Sequence, residues 1–319
     1  MSTTAPAGPA EMVLMATVAR RYYLDGVAKS DIAQQMGLSR FKVARLIDRA
    51  VQSGLVQIRI GWPGDLDVTL STEVQQRFGL RHALVVDVND DQPEAQRAAV
   101  GAKAAELLSE TVTTTDVLGL AWGRALAHMA RSLRRLAACD VVQLTGALQL
   151  ADDAESSSVD LVRDVARLCG GAAYYFHAPM IVATGELGDA LRAQPEIARA
   201  ISRFPAVTKA FVGVGGWRPH ASTVFDALPP AQALELARAG VCAEISGIAI
   251  DADGRPVAAP LVRRTVGISA EQLAAVPEVT ALVYGATKAP AAAAALRSGM
   301  VHGLVTTRDL ATALLELHS

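Results

Sequence analysis

The first periodicity along the chain is helical. From Val13 to Leu24 apolar positions recur at three- and four-residue spacing, and Asp25-Gly26 reads as a stop. A second short helix is expected over Asp31–Met36, capped by Ser30, with Asp31 at the positive end of its first turn. Gly37 then suits a left-handed turn, and Ser39 is placed to cap a third helix running to about Gln52, with Gly54 as its exit. Within that third helix Val43, Leu46, Ile47 and Ala50 fall on one face, while Arg40, Lys42, Arg45 and Arg49 lie outside the stripe. Leu55–Ile60 alternates apolar with polar residues like a short strand, a small wing on which Arg59 either touches phosphate or stays solvated.

Gly61-Trp62-Pro63-Gly64 breaks the pattern, and a connecting helix is expected around Leu70–Phe78. Strand-like and helical stretches then alternate. Strands are expected over Ala83–Val88, Asp116–Leu120, Val141–Leu144, Lys209–Val214, Cys242–Ile250, Val279–Tyr284 and His302–Val305. Helices are expected over Glu94–Leu108, Ala125–Leu136, Ser156–Cys169, Pro290–Leu296 and Arg308–Leu317. Such alternation predicts an α/β body with a mainly parallel sheet covered on both sides and binding turns at the strand ends.

Composition sharpens this division. The chain has 319 residues, 51% of them hydrophobic and only 4% aromatic, so one or two domains can be built around aliphatic side chains and alanine. A formal charge of −2 excludes a wholly basic nucleic-acid-coating protein. Residues 10–60 nevertheless carry eight Lys/Arg against four Asp/Glu, a local +4, leaving −6 for the remainder. A small basic head on a larger acidic body follows. Cys139, Cys169 and Cys242 are far apart, lack any CxxC pairing, and are expected as free thiols in a reducing compartment. The first ten residues lack a secretory pattern and no apolar run reaches 18 residues, so a soluble cytoplasmic protein with no membrane partner is expected.

In the head, cationic residues near the start of the second helix of a tight pair point to double-stranded DNA. Ser39, Arg40 and Lys42 are the candidates for phosphate or base-edge contact, and Arg45 reaches groove or backbone according to helix rotation. So small a head covers one half-site, so specificity requires two or more copies. In the body, Gly119-Leu120-Ala121-Trp122-Gly123-Arg124 joins a strand to a helix, where amides and an arginine favour an anion, or Trp122 simply packs beneath a tight turn. Gln143-Leu144-Thr145-Gly146 is a second strand end, either ligand-facing or merely a turn. Gly213-Val214-Gly215-Gly216 gives close backbone approach, but Arg218 stands where a dinucleotide fingerprint needs its last glycine. Lys288, after Gly285-Ala286-Thr287, is a solvated residue or an effector contact, and Thr306 or Thr307 can cap the last helix. Glu244 follows an apolar run and accepts hydrogen bonds from sugar hydroxyls or from a structural network; His177 is similarly open. The remaining histidines form no short-spaced zinc pattern, and neither GxSxG nor HExxH occurs, so no metal, cofactor or catalytic residue is expected.

Taken together, these segments resemble the SorC family of sugar-responsive bacterial transcription regulators, which includes the central glycolytic gene regulator and the deoxyribonucleoside regulator. Tyr22-Tyr23, Asp31-Ile32-Ala33, Leu38-Ser39-Arg40, Val43-Ala44-Arg45 and Gly54–Ile58 look like the family's head positions. Gly119–Arg124 resembles its GxxWGR turn, Gln143–Gly146 its QxxG strand end, Gly213–Gly215 its GxG segment, and Lys288 through Thr306 its K…AL…G…LVTD tail. The resemblance spans residues 12–316. It implies an N-terminal winged helix-turn-helix plus a larger Rossmann-like, sugar-phosphate isomerase-like effector domain. The implied boundaries are 1–11 for an N-terminal tail, 12–60 for the DNA-binding domain, 61–81 for the junction and connecting helix, and 82–319 for the effector domain. It also implies a dimer or tetramer, a repressor or activator, whose operator affinity responds to a phosphorylated sugar or related carbohydrate metabolite. Gly123 and Arg124 are then expected near the phosphate, with Gln143, Gly146, Gly213, Glu244, Lys288 and Thr306 around other ligand groups. Ala125 replaces a frequent family threonine, Ala243-Glu244 a Gly-Asp, Gly285-Ala286 a Gly-Gly, and Thr307-Arg308 an Asp-Glu. The rival readings are an isomerase, lactonase or deaminase acting on a sugar phosphate, and an effector-free DNA scaffold.

Overall fold

The structure, a computed structural model, describes residues 8–57, 64–88, 92–148, 158–257 and 260–317. They form two compact units divided between Pro63 and Gly64. The first contains α1 (Pro9–Tyr23), α2 (Lys29–Met36) and α3 (Arg40–Gln52). Its core is built from Met15, Val18 and Ala19 of α1, Ile32 and Ala33 of α2, and Val43, Leu46, Ile47 and Ala50 of α3. The aliphatic stripe of α3 is therefore its inward face, at no more than 4% exposure for any of its four residues. Gly37 ends α2 at φ +63°, where a side chain would be strained, and Leu38 N–H donates to Ala33 O to close the turn. Ser39 caps α3 by accepting from Lys42 N–H at 3.2 Å. Ser30 does not cap α2: the helix begins two residues earlier than expected, at Lys29 after Ala28, and Ser30 Oγ instead donates to Asp31. Residues 58–60 of the expected wing, with Arg59, and the junction residues 61–63 lie outside the described residues.

The second unit runs α4 (Val68–Phe78), β1 (His82–Val86), α5 (Pro93–Thr111), β2 (Val117–Leu120), α6 (Arg124–Ser132), β3 (Asp140–Gln143), α7 (Ser158–Cys169) and β4 (Ala173–Tyr174). It continues with α8 (Gly185–Arg192), α9 (Pro195–Ile201), β5 (Lys209–Gly216), α10 (Thr223–Ala227), α11 (Pro230–Arg238), β6 (Ala243–Ile245) and β7 (Ile248–Ile250). The last elements are α12 (Pro260–Arg264), α13 (Ala270–Ala274), β8 (Glu278–Leu282), α14 (Ala289–Arg297), β9 (Gly303–Thr307) and α15 (Arg308–Glu316). The main sheet is parallel, in the order β1-β9-β8-β5-β2-β3-β4. Leu108 of α5, Met129 of α6 and Val162 of α7 share one apolar core; Val74 of α4, Ala292 of α14 and Leu314 of α15 share the other. The sheet is thus covered on both sides, as continuous apolar strands require.

Two further expectations change. Cys242–Ile250 is not one strand but an antiparallel hairpin, β6 and β7, turned by Ser246 at φ +49° and Gly247 at φ +91°. Alternation alone passes through Ser246-Gly247 without registering the reversal. The helix expected as a connector is part of the second unit: Val74 is fully buried in its core, and Asp67, which caps α4 by accepting from Leu70 N–H, also donates its own N–H to Val85 O of β1. Among the described residues, no helix is long and apolar enough to cross a membrane.

Candidate functional site

At the start of α3, outside its buried stripe, Ser39, Arg40, Phe41, Lys42 and Arg45 are all exposed. Arg49 differs from the other cations: it pairs with Glu11 of α1 and ties α3 to the head rather than projecting freely. The helix is amphipathic in charge as well as polarity, with the cations concentrated at its capped N-terminal end. That end also carries the positive pole of the helix dipole, so an approaching polyanion meets backbone and side-chain charge together.

The body presents a cleft at the C-terminal ends of β2, β5 and β8. From β2 the chain proceeds outward through β3 and β4; from β5 it proceeds the other way through β8 and β9, with covering helices on opposite faces. The gap between β2 and β5 is therefore a topological switch point, where neighbouring loops diverge and leave a crevice. Gly123, Arg124, Gly213, Glu244 and Lys288 line this half-open cleft, whose water-sized volume is about 60 Å³.

Arg124 is the first residue of α6, and no side chain caps that helix, so its first-turn amides and the guanidinium address the same space. Packing fixes this helix end: a Cβ on Gly101 of α5 would lie 2.5 Å from His128 Cβ and 2.8 Å from Met129 N, so glycine permits the close approach of α5 to α6. Lys288 lies at the end of the loop after β8, its ammonium 4.4 Å from the centre of the Tyr284 ring. Burial, reinforced by Arg124, Arg97 and Arg218 and opposed by Glu244, lowers its pKa to about 8. Arg218 also donates to Thr287 O at 2.6 Å, joining the loop after β5 to the loop carrying Lys288.

Glu244 is buried and accepts from Ser222 Oγ at 3.0 Å and from Gly247 N–H at 2.8 Å. Burial raises its pKa, against the opposing effects of those two donors and of Lys288. The carboxylate crosses Gly215, where a Cβ would meet its Oε1 at 2.2 Å. Of the two roles open from sequence, a structural network holding the β6–β7 turn against Ser222 is therefore occupied, while the same carboxylate still lines the cleft. Gly213 N–H donates to Ser246 Oγ at 3.3 Å, and its open side faces Leu126 and the Trp122 carbonyl at 3.9 Å.

The Sugar-bind family model, a sugar-binding domain, matches residues 65–316. A Klebsiella pneumoniae protein named transcriptional regulator LsrR is 30% identical over 97% of this chain and 95% of its own length. The chain belongs to the SorC family of sugar-binding transcriptional regulators. An Enterobacter protein also named transcriptional regulator LsrR is 28% identical over 96% of the chain and 94% of its own length. The crystal structure of the full-length sorbitol operon regulator SorC from Klebsiella pneumoniae shares the fold, with a TM-score of 0.72 and 22% identity over 96% of this chain and 99% of that one.

Within this SorC-family chain, three of the expected ligand residues stay away from the cleft. Gln143 is fully buried; its Nε2 donates to Thr145 O at 2.8 Å and Ser158 Oγ at 3.1 Å, and its Oε1 accepts from Phe176 N–H at 3.1 Å. Both N–H donors and one of the two oxygen lone pairs of that amide are engaged by the fold. Gly146 is a packing glycine, since a Cβ there would lie 2.7 Å from Ala178 O. Thr306 is buried within β9, opposite Val85 of β1. Thr307, in the N-cap position before α15, makes no side-chain cap; its Oγ1 instead accepts from Gly285 N–H at 3.3 Å. His177 is exposed, edge-on to Tyr175. The sequence reading missed Tyr284, Ser222 and Ser246 as cleft residues and Arg97 and Arg218 as sources of its positive field. None sits in a recognisable short motif, and only the strand order brings them together.

Proposed function

We propose that this protein is a sequence-specific, DNA-binding transcription regulator whose operator affinity is set by a phosphorylated sugar or related carbohydrate held in the cleft of the second unit. The head supplies the duplex-binding element, a helix-turn-helix with Ser39, Arg40, Lys42 and Arg45 on its outer face. The observation that carries the effector assignment is the convergence of Arg124 and Lys288 on an uncapped helix start. Two cations and aligned amides suit a phosphoryl group, while the Ser246 hydroxyl, whose oxygen accepts from Gly213 N–H and whose proton is left to donate, suits a sugar hydroxyl. Gln143, Gly146 and Thr306 support the walls behind the ligand rather than touching it.

Names of the relatives support regulation over turnover. Two or more copies, as a dimer or tetramer, provide paired half-sites, and coupling requires that the ligand bind the DNA-competent and DNA-incompetent arrangements with different affinity. The test is a mobility-shift titration of genomic fragments with and without a panel of sugar phosphates. A preferred fragment whose affinity shifts at least several-fold with one phosphorylated sugar supports the assignment. Unchanged affinity with a sugar phosphate shown by calorimetry to bind rejects the coupling, and conversion of that sugar to a product replaces it with an enzyme.

A further inference from the structure

We infer that Phe41 is a base-reading residue of the head, packing its ring against the 5-methyl group of a thymine in the major groove. This rests on the DNA-binding assignment above and adds a specificity determinant to it.

Phe41 is 88% exposed, more than any other large hydrophobic residue among those described. Its position on α3 gives that exposure meaning. At about 100° per residue, Phe41 lies roughly 170° from the centre of the buried stripe formed by Val43, Leu46, Ile47 and Ala50. In the N-terminal half of α3 it is therefore the residue aimed most directly away from the head's core. Arg45, one turn later, continues the same ridge, whereas Arg40 and Lys42 fall about 100° to either side. A cationic residue on each flank with an apolar ring between them matches a major groove, whose phosphates border a floor on which thymine displays a methyl group. Arg40 and Lys42 thereby become backbone-positioning residues, and Phe41 and Arg45 the residues that meet base edges. Asp48 lies on the outward face almost two turns beyond Phe41, and its carboxylate, unfavourable near phosphate, limits close contact to the N-terminal half of α3.

The ring has no folding task that would explain its placement: it lies outside the head's apolar core, and α3 is stabilised by its buried stripe and the Ser39 cap. Burial of such a ring against a protein surface would be favoured by a predominantly apolar surround, but its sequence neighbours Arg40 and Lys42 are both exposed cations. The charge complementarity is with a polyanion.

The test uses the full chain and a duplex enriched by it from a random-sequence pool, with each thymine in turn replaced by uracil, which removes the methyl and leaves the pairing edge intact. For the wild-type chain, one or two positions per half-site are expected to lose about four-fold in affinity, the weight of one buried methyl group. Phe41→Ala should bind the unmodified duplex correspondingly more weakly and show no further loss at those uracils, while Arg45→Ala retains the uracil sensitivity. An equal uracil response in wild type and Phe41→Ala overturns the inference and leaves DNA binding standing. Failure of any duplex to enrich overturns both. A change of oligomeric state in Phe41→Ala with an unaltered uracil response assigns the ring to a protein contact instead and likewise overturns it.

Discussion

A lysine whose pKa is lowered to about 8 makes the cleft sensitive to pH near neutrality. Above that value the ammonium of Lys288 loses its proton, so phosphoryl-ligand affinity is expected to fall as pH rises through about 8, as the loss of a charge-assisted hydrogen bond of roughly 1.5–3 kcal/mol would require. Calorimetric titration between pH 6.5 and 9 checks this; Lys288→Arg should flatten the profile, because arginine stays charged. Stability moves oppositely. A lysine pKa below its ordinary 10.5 means that the unfolded chain binds more protons between the two values, so the ligand-free protein gains stability across that window. For Glu244 the folded pKa is raised, so its contribution favours the fold below the ordinary 4.5 and is lost as pH rises through the folded value. Glu244→Gln should remove that dependence, and the difference in melting temperature between variant and wild type should shift in the variant's favour as pH increases from 4 to 7. Arg124 was legible as a residue facing a strand-end cleft because glycine and arginine at a strand-to-helix turn have a direct physical meaning. Gln143 was not legible as a structural residue, since its partners Ser158 and Phe176 lie 15 and 33 residues away along the chain.

At the level of elements, two helices, α3 and α6, carry the proposed duplex and ligand contacts, and both are held by packing and capping on their other sides. Removing the Ser39 cap by Ser39→Ala should destabilise the head by about 1 kcal/mol, and thermal unfolding followed by circular dichroism measures it. The start of α6 is aimed by the close contact at Gly101, so Gly101→Val should displace α6, weaken sugar-phosphate binding and leave duplex binding without effector unchanged. An undiminished ligand affinity in that variant would show that the first turn of α6 does not hold the anion. The boundaries of α3, β5 and α15 followed closely from apolar spacing, because each strand or helix there has one sustained period. The β6–β7 hairpin escaped that reasoning: its two three-residue strands are too short for a period, and its reversal depends on positive φ at Ser246, which sequence does not advertise.

Across the whole molecule, the basic head and the more acidic body separate electrostatic attraction to DNA from recognition of a metabolite. Duplex affinity should fall steeply with salt, with log affinity against log salt losing about 0.9 in slope for each phosphate contact removed by Arg40→Ala or Lys42→Ala. Anisotropy titrations from 50 to 200 mM salt give that slope. Leu46→Ala, at 4% exposure in the head core, is expected to cost about 2–5 kcal/mol in head stability and abolish duplex binding while sugar-phosphate binding persists. Loss of both activities together would show that the two units are not independently folded.

The sequence by itself determined what is local: the capped helix with an inward aliphatic stripe, the alternating strands and helices, and the glycine-bearing turns, since backbone periodicity and capping act over a few residues. Which turns face one another was decided only by the tertiary structure. The order β8-β5-β2 places Lys288, Gly213 and Arg124 around one crevice, while it turns Gln143 and Thr306 into the interior. Such proximity arises from strand pairing between segments far apart in the chain, and burial of shared apolar faces selects that pairing for the molecule as a whole.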